Sequence, residues 1–370
     1  MVSRVTNSML RNTLLSNLNN NLGRVDRLQN QLSSGRQWAH ISDNPSALVF
    51  GQAARNRLSR IDHFQQSIGS AKDWLTQTES GVMEMQRTLG YIYEEMVSSG
   101  GTMTPSDKVN ISRFVGQMRT HFLDSLNTTF GDRFVFSGFN TPGDFAGGAP
   151  AETRPFTLDD DGNLLFNGFN LSQLDNLTAA EYEYAMENGV LPDGTVVPEL
   201  SFLRGNIIEF EVGPGIMMPV TMNGIDLVMF RTQDPFDADD PNQPVMRNVF
   251  SMLTDVYNGL TGNWINPNDP SDGPRPIRTD EMTLLIGQIQ DAQNHLLART
   301  AEVGGRQRRL ELIDARFDAD WLNYREMQSN AEDADIAEVI MNLRMAETVY
   351  QAALSAGARI IQPTLMDFLR

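Results

Sequence analysis

The sequence predicts a mainly α protein: an elongated antiparallel helical bundle with long terminal coiled-coil helices and a mostly β insert. Three observations carry that expectation. Phe64, Ile68, Ala71, Leu75, Thr78, Val82, Met85, Leu89, Ile92 and Met96 are separated by gaps of three and four in strict alternation, which lays one stripe along a helix. A second run, Met282, Leu285, Ile289, Ala292, Leu296, Arg299, Val303, Arg306, Leu310, Ile313, Phe317, Asp320, Tyr324 and Met327, keeps the same alternation, with three polar members. Between them, residues 138–244 change character, with short apolar stretches cut by Gly, Pro and Asp.

The first helix carries Leu14, Leu18, Val25, Leu28 and Leu32 on one face, with Asn21 at an apolar position. It is otherwise polar, and Asn17, Asn19, Asn20 and Gly23 are poor helix formers, so it needs a partner. The carboxyl-terminal stretch offers one: Val339, Leu343, Ala346, Tyr350, Ala353, Gly357 and Ile360 hold the alternation, and Ile336, Ile340, Leu354 and Ile361 widen it. The two ends are expected to pack as antiparallel helices, with Ala353 and Gly357 allowing close approach.

Gly35, after Ser33 and Ser34, suits a helix C-cap. Asp43 and Asn44 suit capping of nearby amides, and Pro45 suits the first position of the next helix, which is expected to run to Ser98. Thr104-Pro105 opens another to about Asn127. Arg133 to Gly138 alternates like a short strand. In the insert, strands are expected at Ile207–Val212 and Val220–Phe230, with turn signals at Asp159–Gly162, between the apolar stretches Phe156–Leu158 and Leu164–Phe166, and at Asp193-Gly194 and Asn223-Gly224. A loop at 231–244 returns to a short helix at 244–260, and the last long rod starts near Asp280. Gly304-Gly305 could bend that rod or admit a neighbour.

Composition excludes several kinds of function. The formal net charge is −18, and the only lysines are Lys72 and Lys108, so no basic surface suits a nucleic-acid backbone. There is no cysteine, hence no disulfide or thiolate site. The amino terminus has no continuous apolar core of a signal peptide, and no stretch is long enough to span a membrane. None of the four histidines, His40, His63, His121 and His295, has a partner three or four residues away, so helical zinc spacing is absent. Asp159, Asp161 and Asn163 hint at a calcium loop, but Leu164 stands where the turn glycine belongs. Ser355 lacks the first glycine of a nucleophile elbow. No metal, cofactor or catalytic residue is expected. A carboxylate-pair glycosidase is the remote enzymatic alternative; a coiled-coil scaffold or adhesin shaft is the structural one.

The motifs, in order, narrow this further. Leu32-Ser33-Ser34-Gly35 followed by Asp43-Asn44-Pro45-Ser46-Ala47, then Phe136-Ser137-Gly138, then Ser329-Asn330-Ala331-Glu332-Asp333-Ala334-Asp335, Tyr350-Gln351-Ala352-Ala353-Leu354 and the ending Gln362-Pro363-Thr364-Leu365-Met366-Asp367-Phe368-Leu369 resemble the bacterial flagellin family. The resemblance covers about 1–140 and 245–370. It implies an inner terminal-helix domain of residues 1–40 plus 330–370, a helical bundle of 41–137 plus 245–329, and an outward-facing insert of 138–244. It implies an extracellular structural subunit of the flagellum, exported unfolded without a cleavable signal. Its implied partners are copies of itself in a ring or helical layer, a hook-associated neighbour on the hook side, flagellin or a filament-side layer, and an export chaperone at the carboxyl-terminal helices. Within the family the ending, Leu365 and Phe368 included, points to the layer joining hook to filament, with filament flagellin as the alternative.

Overall fold

The structure is a computed structural model and describes residues 7–40, 42–98, 104–131, 133–138, 154–159, 162–196, 207–233, 244–265 and 273–361. Among these, eight α-helices carry most of the chain: α1 Asn7–Ser34, α2 Pro45–Ser98, α3 Pro105–Leu126, α4 Ala179–Asn188, α5 Gly224–Val228, α6 Val249–Thr261, α7 Thr279–Glu332 and α8 Ile336–Ile361. Nine short strands accompany them: β1 Thr129–Phe130, β2 Arg133–Phe134, β3 Phe156–Leu158, β4 Leu164–Phe166, β5 Phe169–Asn170, β6 Glu209–Gly213, β7 Ile216–Pro219, β8 Met229–Gln233 and β9 Pro244–Asn248. They form a three-stranded antiparallel sheet, β3-β4-β5, and the antiparallel pairs β1-β2, β6-β7 and β8-β9.

Contacts divide the chain into two compact units, residues 1–63 with 316–370, and residues 64–315. The boundary between them lies inside α2 and α7. Within the second unit, several bonds tie residues of the insert to the long helices. Asn127 clamps Phe156 from both sides, its Nδ2 donating to the carbonyl at 2.9 Å and its Oδ1 accepting from the amide at 3.1 Å. Thr232 Oγ1 donates to Asp291 at 2.7 Å, His295 Nε2 meets the Asp226 carbonyl at 2.7 Å, and Arg306 donates to the carbonyls of Pro219 and Thr221 at 3.3 and 3.1 Å.

In the 64–315 unit, the α2 stripe is the core. Ile68, Ala71, Leu75, Thr78, Val82, Met85, Leu89, Ile92 and Met96 are all buried, and Phe64 is half-buried. The apolar members of the matching stripe of α7 are buried from Met282 to Leu310. The two helices run antiparallel, as the pairs Lys72–Asp314 at 2.6 Å and Glu79–Gln307 at 3.0 Å require. α3 packs on α6 with Phe122 edge-on to Phe250, ring centroids 5.7 Å apart. Thr104 and Asp107 form a reciprocal capping box at its start, with Pro105 inside the first turn. At the start of α7, Glu281 accepts from Arg275 and Arg278 and from the Arg278 amide. The Arg275 bonds, more than any other partner, hold its carboxyl down at about 2. Gly304 and Gly305 neither break α7 nor meet a neighbour within 4 Å of an added Cβ.

Several expected elements differ. Val220–Phe230 is not one strand: Asn223 Oδ1 accepts from the Ile225 amide at 3.2 Å, starting α5 before β8 begins. A buried stretch such as Ile225-Asp226-Leu227-Val228 suits either period, and the cap decides. The helix expected at 244–260 begins later, because Asn248 caps α6 through the Phe250 amide at 2.8 Å and the preceding residues pair with β8. The insert also holds α4, which a capping box, Thr178 with Glu181, and a left-handed Gly189 (φ +66°) delimit.

Gly224 is where the insert is least forgiving. A Cβ there would lie 2.3 Å from Phe156 Cζ and 2.8 Å from the Phe136 carbonyl oxygen, and Phe156 is itself stacked on Phe166. Gly224→Ala is expected to cost about 2–3 kcal/mol of stability by overpacking, read as a lowered urea midpoint of the transition reported by buried Trp74 and Trp264. A midpoint unchanged from wild type would contradict this packing.

Candidate assembly interface at the paired chain ends

In the unit made of residues 1–63 and 316–370, α1 and α8 lie against each other. Their direction is antiparallel: an added Cβ on Gly357 would lie 2.8 Å from Leu14 Cδ2, while at the other end the Ala334 amide donates to the Gly35 carbonyl at 2.9 Å. Leu14, Leu18, Asn21, Val25, Leu28 and Gln31 are half-covered, and the other α1 side chains that the structure describes are exposed. On α8, Val339, Ala346 and Gly357 are buried, and Leu343, Tyr350 and Ala353 are half-buried. Only a small residue fits at 357, because Leu14 occupies the space a larger side chain would take. Ile360 falls in the last turn of α8; Leu365 and Phe368 lie outside the described residues.

Leu32 departs from the expected seam. It keeps 36% of its surface, and Gln31 turns inward instead, its Nε2 donating to the Gln37 carbonyl at 2.7 Å. The chain is leaving the helix here, so a local polar bond outcompetes the stripe.

The joint follows. Gly35 adopts φ +68° and its amide donates to the Gln31 carbonyl at 2.9 Å, ending α1. Ser33 and Ser34 donate their hydroxyls back to the Asn30 carbonyl at 3.1 and 2.7 Å. Asp43 Oδ2 accepts from the His40 amide at 3.0 Å, and Asn44 Oδ1 accepts from the Ala47 amide at 3.2 Å. Pro45 is the first residue of α2. The loop is then fastened to the end of α7: the Gln37 amide donates to the Glu332 carbonyl at 2.7 Å, and Arg36 pairs with Asp333 as an antiparallel bridge.

Glu332 is the residue sequence reasoning missed. Its side chain is only 3% exposed. Its Oε1 accepts from Arg55 Nε at 3.0 Å and NH2 at 2.6 Å, and its Oε2 faces Gln328 Nε2 at 3.5 Å. Gly51 leaves the room: a Cβ there would sit 2.1 Å from Glu332 Oε1. An acid in Ala331-Glu332-Asp333 reads as surface, and only the pairing of Gly51 with Arg55, one turn apart on α2, could have signalled otherwise.

The faces turned away from the seam are also apolar. Met341, Met345 and Val349, spaced by four on α8, keep 59%, 58% and 48% of their surface. At 100° per residue they lie roughly opposite Leu343 and Ala346. On α1, Leu15 and Leu22 are each 49% exposed. Burying a side chain of this size is worth about 1.5–3 kcal/mol, so this hairpin presents a surface whose burial remains to be gained.

Among the described residues no group of three or more His, Asp or Glu side chains is placed to hold a metal ion. Asp159 turns its oxygens to Asn163, accepting from the amide at 2.7 Å and from Nδ2 at 2.9 Å. Among those residues, no helix is long and apolar enough to cross a membrane.

Residues 5–141 match the model of the bacterial flagellin N-terminal helical region. Over that stretch, somewhat more than a third of its length, the chain is similar to the flagellin family. No curated protein matches the sequence. Solved structures do, at the level of the fold. A Vibrio parahaemolyticus protein assigned as flagellar hook-associated is 15% identical with a TM-score of 0.51, covering 79% of this chain and 100% of its own. The flagellar junction protein FlgL of Legionella pneumophila is 13% identical, TM-score 0.51, over 78% and 100% of the two chains. FlgL of Xanthomonas campestris is 13% identical, TM-score 0.51, over 75% and 99%.

Proposed function

We propose that this chain is a structural subunit of the bacterial flagellum that forms the layer joining hook to filament. The observation that carries the reading is the antiparallel α1–α8 pair, closed on one face by Leu14, Leu28, Leu343 and Gly357 and apolar on the other. A helix pair that leaves Met341, Met345 and Val349 in water is suited to burying them against further copies of itself. The fold shared over nearly the whole length of the Legionella and Xanthomonas FlgL chains favours the junction layer over the filament.

In this role the subunit acts outside the cell. Copies pack side by side through the outward faces of α1 and α8, with a hook-associated neighbour below and flagellin above. It is exported unfolded, and an export chaperone takes the carboxyl-terminal helices before secretion. Within the unit of residues 1–63 and 316–370, the joint at Ser33–Pro45 and Glu332 sets how α1 connects to α2 and α7 to α8. Filament flagellin is the second reading, favoured by the family match itself.

Deleting the gene separates the two. Under the junction reading the cells make hooks, release unpolymerised flagellin into the medium and swim no longer. A deletion strain that keeps full-length filaments would overturn it, and loss of the filament subunit itself from the medium would favour the second reading.

A further inference from the structure

Among the places where the insert is fastened to its unit, two differ in chemistry. At one, Asn127 of α3 holds Phe156 in a neutral clamp. At the other, residues 175–178 lie along β9: the Asn176 amide donates to the Met246 carbonyl and the Met246 amide to the Leu177 carbonyl, each at 2.8 Å, and Thr178 bridges Val245. At that second place two carboxylates share one cation. Asp175 Oδ1 accepts from the Asn248 amide at 2.5 Å, Asp255 is ion-paired with Arg247, and the Arg247 side chain is only 4% exposed.

We infer that the Asp175–Arg247–Asp255 cluster is a proton-operated latch, closing the 175–178 segment onto β9 and α6 as the surroundings turn mildly acidic. The groups facing Asp175 are Arg247 and Asn248 from β9 and Ser251 and Asp255 from α6. On α4, Glu181 is turned back onto Thr178, whose amide and hydroxyl it accepts at 2.9 and 2.8 Å. One guanidinium therefore answers two carboxylates, and the closed latch holds an uncompensated negative charge. Asp255 has the direct ion pair, so the proton belongs on Asp175.

Burial raises the Asp175 carboxyl to about 7 and the Asp255 carboxyl to about 6, against the pull of Arg247. In the open state both are hydrated and titrate near the ordinary value of about 4. Between those limits the closed state binds more protons than the open one, so closing strengthens as pH falls from 8 towards 5 and weakens as it rises. For one group at about 7, closing becomes about tenfold more favourable between pH 8 and pH 6.

Hydrogen exchange on the full chain, corrected for the intrinsic rate at each pH, tests this. The expected result is an about tenfold rise in protection of the Asn176, Met246 and Asn248 amides from pH 8 to pH 6, with the Phe156 amide unchanged. In Asp175→Asn the three amides are expected to show high protection without pH dependence. Should that variant not fold, Asp175→Ser gives the same reading, because its hydroxyl oxygen also accepts from the Asn248 amide and does not titrate in this range. Protection that changes equally at Phe156, does not change at all, or keeps the wild-type profile in the folded variant overturns the latch.

Discussion

Leu343→Asp is expected to open the α1–α8 pair while leaving residues 64–315 folded. Leu343 is half-buried in the seam, and an aspartate there places a carboxylate on the face that α8 lays against α1. The cost is about 2–3 kcal/mol, large for a two-helix contact whose other members are only half-covered. Protease nicking should move into α1 and α8, the thermal transition of the 64–315 unit should stay where it is, and cells carrying the variant should not retain filaments. Leu28→Asp, on the facing helix, is expected to behave alike. Met345→Asp is the contrasting case. That side chain is 58% exposed and outside the seam, so the variant should keep the helix pair and its protease resistance, yet fail to add to copies of itself. Normal assembly of Leu343→Asp, or wild-type assembly of Met345→Asp, would mean that closure and self-association are not divided between these two faces.

The second large effect is expected at the joint. Gly51→Val puts a branched side chain where Glu332 lies, with the first carbon alone 2.1 Å from its Oε1 and 2.6 Å from its Cγ. Glu332 cannot simply step aside, because it is held by Arg55 and walled in. The expected loss is about 3 kcal/mol, combining overpacking with a broken, largely buried ion pair. A double-mutant cycle separates this from a general helix effect. Gly51→Ala should be costly alone, and much less costly once Glu332→Ala has removed the obstacle. Additive losses would mean that Gly51 and Glu332 do not share this space.

The long rods were legible because their stripes are local and repeated: from Ile68 to Met96 every marked position is buried. The pairing of the two ends was legible for the same reason, in two weak helices with matching faces. What resisted reading was where a single polar group decides. Asn223 and Asn248 each start a helix inside runs that alternate well enough to pass for strands or for an earlier helix. Glu332 is buried only because a glycine and an arginine arrive from a segment 277 residues away, which no local window contains. The outward stripe of Met341, Met345 and Val349 was visible as apolar residues, but a sequence does not say which of two apolar faces its own chain will cover.

The pairing of α1 with α8 also has a consequence in time. These helices lie some three hundred residues apart along the chain, so α1 lacks this partner until synthesis has reached α8. Bringing segments 277 residues apart together costs about 5 kcal/mol of chain entropy from the random coil. Folding of the 64–315 unit offsets that in advance, since Lys72 and Asp314 are then already side by side. The hairpin is therefore the last part to close, and any subunit cut short before α8 is left with an unpaired first helix, recognisably unfinished.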